Sequence, residues 1–217
     1  MKTHHLSKEK SLLSKYLREI RSVGVQNDSM RFRRNIERIG EILAYELSKE
    51  LTFERVEVET PLGIKETKLP INRLVLCSVL RAGIPLHNGL LNYFDDAENA
   101  FISAYRKHTG KEEEFDIVVE YLASPTIEGK TLLLADPMIA TGRSLVAVYE
   151  SIKKHGTPKE IHILSVIGSK EGIKLIEEFF PENTNLWVAD IDDELNSKGY
   201  IVPGLGDVGD LAFGAKL

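Results

Sequence analysis

The stretch EGKTLLLADPMIATGRSL, residues 128–145, decides the fold. Thr131 to Ala135 form a short apolar run entered through Gly129 and Lys130, the pattern of a strand buried on both faces of a parallel sheet. The run stops at Asp136-Pro137, where proline offers no N–H to continue a ladder. Thr141-Gly142-Arg143-Ser144 follows, and then Leu145, Val146, Val148 and Ile152 recur at helical spacing. Strand, small-residue loop and helix N-terminus together make an anion site, because unpaired amides and the positive end of the helix dipole converge there. Asp136 adds a carboxylate at the strand's C-terminal end, where open α/β sheets bind ligands. That pairing suits a sugar phosphate: the acid accepts bonds from paired hydroxyls while the loop holds the phosphate. A strand end whose Asp merely caps the turn is the plainer reading of the same residues.

Working outward, apolar runs at 74–80, 99–105, 161–167 and 186–190 repeat the strand pattern. Helical patterns near 84–94, 143–155 and 169–180 lie between most of them. This alternation predicts an α/β fold, a parallel sheet of about five strands flanked by helices. Upstream, Leu12, Leu13, Leu17 and Ile20 suggest a helix, and Asp28 or Ser29 caps a second whose stripe is Phe32, Ile36, Ile39, Leu43 and Leu47. Arg31, Arg33, Arg34 and Arg38 read as the solvated face of that helix. Residues 1–10 read as a loose terminus, and His4 and His5 find no partner at metal-ligand spacing. Arg55 to Thr60 alternates and runs into the turn Pro61-Leu62-Gly63. Lys111 to Glu114 reads as an exposed turn and Phe115 to Tyr121 as an added strand.

The 217 residues fit one domain, 1–217, and a hydrophobic content of 42% gives it a substantial core. A net charge of −5 argues against a nucleic-acid partner held by phosphate neutralisation. Cys77 is the only cysteine, which excludes an intrachain disulfide. Inside LVLCSVL it reads as a buried small hydrophobe, suited to a reducing compartment. No apolar stretch reaches membrane-spanning length, so no membrane partner and a cytoplasmic location are expected.

Three further stretches carry chemistry. Leu80-Arg81-Ala82-Gly83 follows the run at 74–79 and sets an arginine fork beside residues small enough for close backbone approach. Tyr105-Arg106-Lys107-His108 ends the next run with basic groups. Gly199 to Asp210, GYIVPGLGDVGD, holds four glycines and a proline in twelve residues, too many for a regular helix or central strand. Such a packed loop exposes main-chain donors and acceptors suited to a flat heterocycle. The acids of Asp192-Asp193-Glu194 just before it read as helix-capping and solvent groups.

These residues carry a resemblance. DPMIATGRS resembles the phosphoribosyl-diphosphate (PRPP) loop of the type I phosphoribosyltransferases. Leu80 to Gly83 is similar to the diphosphate loop of the uracil phosphoribosyltransferases, and Gly199 to Asp210 is nearly identical to their uracil-binding loop. The likeness runs from about Leu12 to Lys216. The chain departs from the family at Arg143 and Pro85, both for glycine, at Asn88 for aspartate, at Lys107 and His108 for acids, and at Leu211 for arginine. The resemblance implies the type I phosphoribosyltransferase fold, with a hood from N-terminal elements and the C-terminal loop. It implies pyrimidine salvage, uracil + PRPP → UMP + diphosphate.

Asp136, Arg81, Arg106 and Asp207 would then form the catalytic set. Asp136 would hold the ribose hydroxyls, Arg81 and Arg106 the diphosphate, and Asp207 PRPP or its metal. Pro137, Met138, Ile139, Ala140, Thr141, Gly142, Arg143 and Ser144 would line the PRPP loop, with Ala140 to Ser144 around the 5′-phosphate and Arg143 at negative φ. Ile201, Gly206, Asp207 and Val208 would read the uracil edge. Mg²⁺ is the implied cofactor, carried mainly by PRPP with no preformed protein site. GTP as an effector and a homodimer or higher homo-oligomer complete the implication. Two rival readings keep the same fold: a catalytically weak nucleotide-binding homologue, and a pyrimidine-responsive RNA-binding regulator.

Overall fold

A computed structural model describes residues 1–108 and 115–216. The strands are β1 (Lys2–His5), β2 (Phe53–Thr60), β3 (Gly63–Pro70), β4 (Leu74–Leu80), β5 (Glu98–His108), β6 (Phe115–Ala123), β7 (Thr131–Ala135), β8 (Met138–Ile139), β9 (Glu160–Ser169), β10 (Asn185–Asp192), β11 (Glu194–Leu195) and β12 (Ile201–Val202). The helices are α1 (Leu13–Arg21), α2 (Val23–Gln26), α3 (Ser29–Ser48), α4 (Ile84–Leu91), α5 (Arg143–Ile152), α6 (Lys170–Phe179) and α7 (Val208–Phe213).

Eight strands form the central sheet in the order β1-β10-β9-β7-β4-β5-β6, with β8 also on β9. Every pairing in it is parallel except β5 with β6. The five expected runs are β4, β5, β7, β9 and β10, adjacent in the middle of the sheet. Their side chains alternate between two cores. Leu76, Leu133, Leu164 and Trp187 face α1, α3 and α4, whereas Cys77, Leu132, Ile163 and Val188 face α5 and α6. A strand apolar on both faces must lie inside such a three-layer stack. Asp28 caps α3, its side chain accepting from the Arg31 amide at 3.0 Å.

Within residues 1–10, Lys2 to Lys8 are not a loose end. Lys2 to His5 pairs with β10, an edge whose backbone groups would otherwise face water. His4 stacks on Trp187 with ring centroids 3.7 Å apart, and Trp187 Nε1 donates to His162 Nδ1 at 3.1 Å. Burial lowers the His162 pKa to about 4, which keeps Nδ1 free to accept. The Arg55 strand gains a partner in β3, and the hairpin β2–β3 stands apart as its own two-stranded sheet. The arginines of α3 are engaged rather than merely solvated. Arg34 pairs with Glu37, Arg33 donates to the Ala212 carbonyl at 2.6 Å, and Arg38 lies over the Tyr16 ring at 5.3 Å. Lys111 to Glu114 lies outside the described residues.

Candidate active site

Because the central strands are parallel, β4, β7, β9 and β10 all end on one side, and the loops leaving them meet there. They enclose a cleft of about 710 Å³. Its floor is the end of β7. Asp136 is half-buried at that end, and its Oδ1 accepts from the Met138 amide at 3.2 Å. Burial of the carboxyl dominates and raises its pKa from 3.8 to about 7, while the Met138 bond pulls the other way. The Pro137 carbonyl accepts from the amides of Val166 and Ile167 at 3.2 and 3.0 Å, which ties the loop to β9.

The loop then turns at Gly142, the residue preceding α5, with φ +77°. A Cβ here would be strained and would meet the Gly172 carbonyl oxygen at 2.7 Å. Ser169 locks the underside, donating to the Ala140 carbonyl at 2.6 Å and accepting from the Gly172 amide at 2.9 Å. Arg143 is exposed and opens α5, and no non-glycine residue among those described has positive φ. The turn therefore asks its left-handed conformation of Gly142, and Arg143 stands where side chains are accepted.

Opposite the loop, Arg81 follows β4 across a cis peptide bond to Leu80. Its Nη2 donates to Asp210 Oδ1 and to the Gly214 carbonyl, each at 3.2 Å. Asp207 caps α7 through the Asp210 amide at 3.0 Å, and Lys216 Nζ lies 3.8 Å from its other oxygen. The run 199–210 is thus not all loop, since Ile201–Val202 pair with Glu194–Leu195 and Val208 to Asp210 begin a helix. Asp192 is a correction too. It is buried and bonded to Arg21 at 2.8 Å instead of capping a helix or facing solvent.

Of the expected site residues, Arg81, Asp136, Met138, Ile139, Ala140, Thr141, Gly142, Ser144, Ile201 and Asp207 line the cleft. Pro137 and Val208 are buried behind it, and Arg143 and Gly206 are exposed outside its lining. The side chain of Arg106 lies outside the described residues, as do those of Lys107 and His108. Tyr200, Gly209 and Lys216 also line the cleft and were not anticipated. Lys216 follows α7 and reaches the cleft beside Asp207, beyond the stretch that the glycines and proline mark in the sequence.

The residue pattern that defines uracil phosphoribosyltransferase matches residues 7–215. A Porphyromonas gingivalis protein named uracil phosphoribosyltransferase is 51% identical over 217 residues, covering 100% of both chains. A Thermococcus gammatolerans protein of the same name is 46% identical over 193 residues, 88% of this chain and 84% of that one. An Aquifex aeolicus structure superposes with a TM-score of 0.87 at 30% identity, covering 99% of each chain. A purine phosphoribosyltransferase from Pyrococcus horikoshii shares the fold, with a TM-score of 0.50 at 18% identity over 74% of this chain and 90% of that one. With its fold and nearly its whole length matched, the chain belongs to the uracil phosphoribosyltransferase family.

Proposed function

We propose that this cleft joins uracil to PRPP, giving UMP and diphosphate in pyrimidine salvage. The observation that carries the reading is the meeting, in one 710 Å³ cleft, of the Asp136 carboxylate, the Ala140–Ser144 turn and Arg81 under the Gly199–Asp207 loop. Asp136 accepts from the ribose hydroxyls. The amides of the turn hold the 5′-phosphate at the start of α5. Arg81 and Arg106 neutralise the diphosphate as it departs from the ribose C1. Main-chain groups of Ile201 and Asp207, which line the cleft, meet the edge of the base, with Gly206 and Val208 flanking Asp207. The reaction breaks the bond from C1 to the diphosphate oxygen and forms one from C1 to the uracil nitrogen, with the base's proton passing to solvent. Positioning and charge stabilisation do the work, and no protein nucleophile is needed.

The donor set suits a cation that arrives with its ligand. Asp207 lines the cleft, and among the described residues no group of three or more His, Cys, Asp or Glu side chains could hold a metal. Mg²⁺ arriving with PRPP would be met by the Asp207 carboxylate and would supply charge neutralisation of the leaving group. The exposed Val58, Ile64 and Leu69 of the β2–β3 hairpin support a homodimer or higher oligomer, since an isolated two-stranded hairpin is marginal in water. GTP as an effector and a cytoplasmic location complete the reading. No helix among the described residues is long and apolar enough to cross a membrane. The deciding test is UMP formation by the purified chain from uracil, PRPP and Mg²⁺. Nucleotide binding without turnover would establish a catalytically weak homologue instead.

A further inference from the structure

We propose that Arg21 is a positioning residue for base recognition, acting through Asp192 on the turn at Gly204. This rests on the reading that the Ile201–Val208 segment meets the uracil edge. Arg21 ends α1 and does not itself line the cleft, yet its guanidinium reaches the last residue of β10 and the C-terminal loop together. Nη1 donates to Asp192 Oδ2 and to the Gly204 carbonyl, both at 2.8 Å, and Nη2 donates to Asp192 Oδ1 at 3.0 Å. The same Asp192 Oδ2 accepts from the Gly204 amide at 3.1 Å. Both backbone polar groups of Gly204 are therefore held by one ion pair. The turn has no slack. Gly204 has φ +59°, and a Cβ there would meet the Ile201 carbonyl oxygen at 2.1 Å.

Around this clamp, Nη2 of Arg21 also donates to Asp190 at 2.9 Å, and Gln26 Nε2 donates to the Leu205 carbonyl at 3.2 Å. Asp190 is shared with Ser7 and His5. Arg21 is thus the point where α1, the N-terminal strand and the loop are locked in register. A planar fork with fixed donor directions does this, and a lysine ammonium does not. A shift of the Gly204 turn would displace Ile201, which lines the cleft, while leaving the PRPP loop on β7 untouched.

The test is steady-state kinetics of Arg21→Lys and Asp192→Asn, with Gly206→Ala as a reference inside the loop. Each of the first two should raise KM for uracil on the order of tenfold, with KM for PRPP changed less than about twofold. Discrimination between uracil and its 5-methyl analogue should relax in parallel. Circular dichroism and a urea midpoint on each variant separate this from loss of fold. If Gly206→Ala shifts the uracil KM and both clamp variants keep it unchanged, or move both KM values equally, the clamp is wrong. If Gly206→Ala and both clamp variants all leave the uracil KM unchanged, the reading of the loop itself fails.

Discussion

Burial holds the proton on Asp136 up to a pKa of about 7, while the role proposed for it towards ribose hydroxyls calls for the ionised carboxylate. An unfolded chain releases that proton near 3.8, so between the two values the folded state binds more protons. Stability should therefore fall as pH rises through this window, and Asp136→Asn should remove that part of the slope. Urea midpoints of the two proteins at about pH 5 and pH 8 measure it. A slope identical in both would place the shift elsewhere. The same substitution should weaken PRPP by about one to two decades above pH 7, because a charged acceptor bond is worth about 1.5–3 kcal/mol. Arg81→Ala should weaken PRPP and diphosphate far more than uracil. Equal losses for PRPP and for a 5′-monophosphate would refute its placement. Arg143→Gly should keep activity within about tenfold, since Gly142 already supplies the left-handed turn.

At the scale of elements, the β2–β3 hairpin makes no strand pairing with the central sheet among the described residues, and Leu62 at its tip is fully exposed. Replacing residues 55–68 by a short Gly-Ser link should shift the molecule towards monomer in light scattering, with the far-UV spectrum of the remaining fold intact. An unchanged mass would remove the hairpin from the interface. Its second strand, GIKETKLP, was not legible in the sequence because neither face is buried, and so no period marks it. The same holds for Lys2 to His5, which joins the sheet through backbone groups with polar side chains. The five central strands were legible for the opposite reason: burial on both faces leaves uninterrupted apolar runs. Asp192 was misread because its partner lies 171 residues away, and charge spacing speaks only of near neighbours. The strand–turn–helix unit from Thr131 to Ile152 was legible because strand end, turn and helix start are contiguous in the chain. Lys216 and Arg21 were not, since their places depend on how distant elements close.

In the molecule as a whole, two cores share one sheet, and Cys77 sits in the middle of β4 within one of them. Burial pushes its thiol up to about 12, so almost no thiolate forms near neutrality. Alkylation in native buffer should be slow and should accelerate only with unfolding, in step with the urea transition. Fast native labelling would mean that the β4 region opens locally. Trp187 is the only tryptophan, and its stacking partner His4 comes from the first strand. The chain therefore carries its own optical reporter of how its two ends are joined. An imidazolium against an indole drains the excited state, whereas neutral imidazole does so weakly. Because burial lowers the His4 pKa, emission should hold steady at neutrality and dim only on acidification below the usual histidine range. His162, which also touches the indole, takes its proton only near pH 4, so His4→Leu should remove the dimming that sets in above that value, and the seating of the N-terminal strand can then be followed by light alone.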